Sequence, residues 1–221
     1  MTVALVVALI PPKNIANAAQ KANNDLGELG GSPDNKYLQY FRFDDTHHFH
    51  VTLVQLYVEN QDKAKEVGEV VGKLLEGQKK ISAKATELKS SGHLDNSYLL
   101  NINFESSQIK DLHNKVLEAV KPFAVKSDNG DVEAFFHFGY SDRVGEDSAK
   151  YVASFIDQKS GNNYEPHGTV GIASKTYTED VAKKSSKYEL PLSSDIDTVV
   201  VAQLGLYCSL RKVLKEIKLQ E

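Results

Sequence analysis

Cysteine occurs once in this sequence, at Cys208. A single thiol excludes a disulfide within the chain and makes a reducing compartment, the cytoplasm, the default setting. An excess of basic residues is also missing. The 26 Lys and Arg stand against 30 Asp and Glu, giving a net charge of -4 and a pI near 6.0. That balance argues against coating long nucleic acid and leaves room for a small anionic ligand in a local basic pocket. Long apolar runs are absent too. "MTVALVVALIPP" stops at Pro11 after about ten residues, where a bilayer needs about 20, and it has neither a basic flank nor a small-residue cleavage site. No Walker-type loop, G-x-S-x-G or C-x-x-C is present, which removes P-loop phosphate binding, the usual serine hydrolase layout and dithiol redox chemistry.

What remains is ordinary globular material: 221 residues, 41% apolar and 25% charged, enough for one large domain or two small lobes around a real core. Residues 2–10 read as a central strand, because Val, Leu and Ile run without alternation. Pro12 is placed to start a helix to about Leu29, and "GELGGSPDN" marks a loop. Strands are expected near 37–43 and over 47–58, with "DDTH" as the turn between them. Asn60 reads as the cap of an amphipathic helix carrying Ala64, Val67, Val70, Val71, Leu74 and Leu75. Then come strands at 80–89 and 97–104 around "SSGHLDN", a helix at 106–121, a turn at 126–131 and a strand at 132–140. A helix at 147–158, a strand at 165–174, a helix at 178–187 and strands at 196–206 and 209–219 complete the chain. Mixed elements with neighbouring strands joined by hairpins predict an α+β fold containing antiparallel sheet.

Two tetrapeptides stand out. "HVTL" spans 50–53 and "HGTV" spans 167–170; both are His-x-Thr-aliphatic, both lie in expected strands, and each precedes an expected helix. With 7 His, 8 Thr and 52 Ile, Leu or Val in the chain, random order would give about 0.06 such motifs, so a chance pair is rare. The 117-residue separation, about half the chain, predicts a pseudo-symmetric bilobal body, residues 1–221 forming one domain, with one motif strand from each lobe facing a central cleft. In a strand, positions i and i+2 share a face, so His50 projects with Thr52 and His167 with Thr169. Two imidazoles that titrate near neutrality suit paired acid and base work on a phosphodiester, and the two hydroxyls can hold its oxygens. Nothing in the tetrapeptides separates base from acid; the working assignment takes His167 as base and His50 as acid.

These residues resemble the paired motifs of the two-histidine (2H) phosphoesterases, which include cyclic nucleotide phosphodiesterases and bacterial RNA 2',5'-ligase-like proteins. "VALIPP" at 7–12, "PHGTVGIA" at 166–173 and "AQLGLYCS" at 202–209 are similar as well, although only the tetrapeptides are specific. The resemblance implies antiparallel sheets lining a cleft, helices packed outside, and metal-independent cleavage of 2',3'-cyclic phosphates or 2'-5' linkages without a cofactor. It implies a small nucleotide or short oligonucleotide as substrate. The competing expectation is a non-catalytic nucleotide-binding module on the same fold. Gly168, between the second His and Thr, departs from strand preference and marks a close approach of substrate or backbone.

Other residues carry weaker signals. Tyr164 is placed to stack a base, and Tyr40, Tyr140 and Tyr207 less so. The run "DDTHHFH" also admits a metal reading through Asp44, Asp45, His48 and His50, but its partner motif has one histidine only. His47 and His48 fit the cleft rim, while His93, His113 and His137 fit surface or structural roles. Lys175 fits a solvated lysine, and Cys208 a buried structural thiol.

Overall fold

The computed structural model describes residues 1–29, 43, 48–92, 97–127, 130–136 and 142–221. The chain runs β1 (Val3–Ile10), α1 (Lys13–Leu29), β2 (Val51–Val58), α2 (Gln61–Leu74), β3 (Ile81–Gly92), β4 (Ser97–Glu105), α3 (Ser107–Val120), α4 (Asp142–Gln158), β5 (His167–Ser174), α5 (Lys175–Ala182), β6 (Leu192–Ile196), β7 (Thr198–Leu204) and β8 (Leu210–Lys218). Two four-stranded antiparallel sheets result, ordered β2-β1-β7-β8 and β5-β4-β3-β6. The fold is α+β and bilobal, and among the described residues each motif strand, β2 or β5, lies at the end of its own sheet.

The local signals explain most elements. The Pro12 carbonyl accepts from Ala16 N–H at 3.0 Å, so the proline opens α1 as its missing donor and fixed φ allow. The Asn60 side chain accepts from Asp62 and Lys63 N–H and caps α2. Ser106 does the same for α3 through Ile109 N–H.

The two sheets differ in burial. β1 and β7 are buried on both faces, as unalternating Val and Ala predict. One face of their sheet shares the main core; the other holds Ala4, Val6, Ala8, Tyr57, Val200 and Ala202 under Ala149 and Val152 of α4. Thus α4 covers the cleft-side face of the first sheet, while α1, α2, α3 and α5 pack with the main core. β3 alternates buried and exposed positions, so the second sheet has one open face.

Several boundaries depart from expectation. Residues 132–134 form one turn of 3-10 helix instead of a strand, because the Asp131 carboxylate caps Glu133 N–H at 3.0 Å and Ala134 and Phe135 fill the second core cluster. The expected strand at 196–206 is β7, which starts at Thr198 and pairs with β1; just ahead of it lies β6, an unexpected strand that pairs with β3 in the other sheet, the chain crossing at Asp197. No glycine or proline marks that crossing. α5 begins at Lys175, directly on the end of β5. The expected strand near 37–43 (apart from Phe43), the turn at 44–47, and Tyr40, Asp44, Asp45, His47, His93, His137 and Tyr140 lie outside the described residues.

Candidate active site

Each motif strand carries a bulge at the same motif position. Against β1, Val54 faces Val7 and Thr52 faces Ala8, leaving Leu53 as the extra residue. Against β4, Gly171 faces Leu100 and Thr169 faces Asn101, leaving Val170 extra. Leu53 and Val170 are the fourth residues of the two tetrapeptides. A bulge twists its strand and re-aims the neighbouring side chains, and here it follows the threonine in both copies.

The histidines are also held alike. His50 Nδ1 lies 3.0 Å from the His48 carbonyl, and His167 Nδ1 lies 2.8 Å from the Glu165 carbonyl. A carbonyl only accepts, so both Nδ1 atoms carry the hydrogen and Nε2 is the nitrogen left for proton exchange. His50, Thr52, His167 and Thr169 line one cleft, whose empty space out to its mouth is about 760 Å³. The spacing in sequence thus becomes convergence in space.

Gly168 is where the two motifs meet. A Cβ at this position would lie 2.3 Å from Phe49 Cζ and 2.9 Å from the His50 carbonyl oxygen. The expected close approach is therefore made by the backbone and ring that precede β2, and only a glycine admits it.

Electrostatics make both imidazoles weaker bases than usual. Burial is the largest cause at each. At His50 the backbone acceptor His48 O opposes the shift, and the positive charges of His167 and His48 add to it. At His167 the Glu165 carbonyl and carboxylate oppose the shift, and Lys159 adds to it. Each ring keeps a partly exposed edge on the cleft while protein surrounds the rest, so lost hydration of the cation dominates.

Of the rest of the lining, only Tyr207 is a candidate contact residue from sequence. The rest comprises Gln55, Leu99 and Ile172 from the strands, Asp147, Ser148 and Tyr151 from α4, and Tyr207, Cys208 and Ser209 from the β7–β8 connection. Apart from the stretch at 202–209, no short motif marks them, because they come from elements far apart in the chain. Gln55 donates to Thr52 Oγ1 at 3.5 Å, and its own Oε1 is buried with no hydrogen-bond partner among the described residues. Tyr207 and Cys208 both hold positive φ, 56° and 55°, a strained state for residues with a Cβ that tends to occur at functional sites. Burial pushes the Cys208 thiol up to about 12, opposed by Gln55, so it stays a protonated thiol.

Tyr164 is placed differently from the expected stacking platform. Its ring is buried and stacked on His113 with centroids 3.8 Å apart, and its hydroxyl donates to the Thr52 carbonyl at 2.7 Å. Its aromatic face is used up inside the protein. Lys175 sits outside the cleft, pairing with Glu179 at 3.8 Å over the Tyr98 ring. Among the described residues no three His, Cys, Asp or Glu side chains converge on a point where a metal ion could sit, and no helix is long and apolar enough to cross a membrane.

No family model matches the sequence, and no curated protein matches it at a significant level. Solved structures are similar over nearly the whole chain. TT0787 of Thermus thermophilus is 12% identical, with 98% of this chain and 97% of that one covered at a TM-score of 0.55. A phosphoesterase is 12% identical, with 99% of each chain covered at 0.47. E. coli LigT complexed with 3'-AMP is 12% identical, with 100% and 99% covered at 0.46. Two antiparallel sheets each contribute one His-x-Thr strand to a common cleft, on a fold shared with TT0787 over nearly the whole of both chains.

Proposed function

We propose that this protein is a metal-independent phosphodiesterase that acts on small nucleotides or short oligonucleotides, at 2',3'-cyclic phosphates or 2'-5' linkages. One observation carries the reading: both histidines tie Nδ1–H to a carbonyl two residues back, so two Nε2 atoms and two threonine hydroxyls share one cleft. The neutral histidine takes a proton from the attacking oxygen as it bonds to phosphorus. The protonated one gives a proton to the departing oxygen as its bond breaks. Thr52 and Thr169 donate to the non-bridging oxygens, where charge builds. Solvent returns the proton between turnovers.

The surroundings favour His50 as base and His167 as acid, the reverse of the working order from sequence. The Glu165 carboxylate supports charge on His167 more than Lys159 opposes it, whereas both charged neighbours of His50, His167 and His48, oppose charge there. Tyr164 leaves the substrate-contact set and serves by holding the Thr52 backbone.

Purified protein is assayed on cyclic nucleotides, 2'-5' linked dinucleotides and short RNA ends, in the presence of a strong chelator. Wild type is expected to turn over at least one. His50→Ala and His167→Ala are each expected to lose about 10²–10⁴-fold in kcat while still binding nucleotide. Loss on chelation with recovery on zinc or manganese would overturn the metal-free mechanism. Nucleotide binding without turnover by wild type would replace it with the binding-module alternative.

A further inference from the structure

A bulge frees a backbone carbonyl from its ladder, and a buried carbonyl needs a donor. The two motif bulges find theirs in the same way. Asn23 of α1 donates through Nδ2 to the Val170 carbonyl at 2.6 Å, a contact that is buried. His113 of α3 donates through Nδ1–H to the Leu53 carbonyl at 2.7 Å, also buried. His113 Nε2 accepts from Gly161 N–H at 2.9 Å, which fixes the neutral Nδ1–H tautomer. Burial, opposed by the Leu53 carbonyl, lowers the basicity of this ring and keeps it neutral.

The pairing is crossed. α1 follows β1, a strand of the first sheet, yet packs on β5 of the second; α3 follows β4 of the second sheet, yet packs on β2 of the first. Gly171, next to the Val170 bulge, lets α1 in: a Cβ there would lie 2.8 Å from Leu26. On the other side, Tyr164 stacks on His113 and holds the Thr52 carbonyl, so two consecutive carbonyls of the first motif are gripped from the second half of the chain.

We infer that Asn23 and His113 are crossed positioning residues: each lies on a helix that follows a strand of one sheet and fixes the bulge that aims the catalytic His-x-Thr pair on the other, so that the geometry of each histidine depends on a helix delivered by the other sheet's chain. Neither touches the cleft; they act through backbone carbonyls. The inference rests on the proposed phosphodiesterase for its kinetic consequence, but not for its structural one.

The test uses the full chain, with Asn23→Leu and His113→Phe removing each donor and His113→Asn restoring an N–H donor. On the best substrate, the first two are expected to lower kcat about 10–100-fold with KM within about twofold, and His113→Asn to recover most of the loss. Histidine NMR titrations provide the crossed readout: Asn23→Leu moves the titration of His167 and leaves His50, and His113→Phe does the converse. In unaltered protein, the ring-nitrogen shifts of His113 are expected to show a neutral Nδ1–H tautomer through pH 6. Melting temperatures that fall while kcat and both titrations stay in place would overturn the inference, as would an Nε2–H tautomer or ordinary ionisation of His113. If a variant does not fold, the tautomer measurement still decides the His113 arm. If wild type turns nothing over, the proposed function fails while the crossed titrations still judge the positioning.

Discussion

His50 and His167 each combine an ordered Nδ1–H with surroundings that resist the imidazolium. An ordinary imidazole titrates near 6.5. Lowering both groups predicts a bell-shaped kcat/KM profile with its maximum below about pH 6.5; a pH series at low substrate measures it, and a maximum above pH 7.5 would contradict it. Glu165→Gln removes the carboxylate that supports charge on His167. With His167 as acid, that change moves the basic limb to lower pH and leaves the acid limb, whereas movement of the acid limb alone would restore His167 as base. The four motif residues were legible because each tetrapeptide occurs intact. Tyr164 was not: three residues before His167 it looked available, but its stacking partner His113 is 51 positions away in the chain.

β5 meets the segment ahead of β2 across Gly168, and two effects of opposite sign compete there. Alanine would restrict the unfolded chain and stabilise by about 0.4–1 kcal/mol if it fitted. Its Cβ would instead lie 2.3 Å from the Phe49 ring and 2.9 Å from the His50 carbonyl oxygen. Overpacking of that kind costs about 1–3 kcal/mol, so the clash wins. Gly168→Ala is expected to lower the urea midpoint and, by shifting His50, to lower kcat more than it raises KM. An unchanged midpoint with full activity would show that Phe49 yields freely. The helix and strand periods of α2, α3, β1, β2, β4 and β5 were readable in sequence, since their apolar faces, capping residues and turns agree. β6 and its crossing into β7 were not, because a five-residue strand of Leu, Ser, Ser, Asp and Ile after Pro191 offers little apolar signal, and which sheet it joins is set by β3.

At the scale of the whole molecule, three of the described histidines, His50, His113 and His167, have basicity lowered chiefly by burial. Below about pH 6.5 the unfolded chain binds protons that the folded chain resists, so their contribution is complete above that pH and is lost as pH falls through the depressed folded values. Urea unfolding at pH 7.5 and pH 5.5 is expected to show lower stability at the lower pH. His113→Asn is expected to reduce that difference, because one buried imidazole is gone; an identical difference in the variant would assign the slope to other groups. The repeated His-x-Thr pattern, the unalternating Val and Ala of β1 and the capping residues were determined by the sequence alone, since they express local periods of the backbone. What only the tertiary structure decided is the meeting of the two halves: which carbonyls Asn23, His113 and Tyr164 hold, why residue 168 must be glycine, and which wall α4 and the 207–209 turn add to the cleft. Those contacts join residues about 50 to 150 positions apart, and no local rule of chain geometry encodes which distant donor will reach a carbonyl that a bulge has freed.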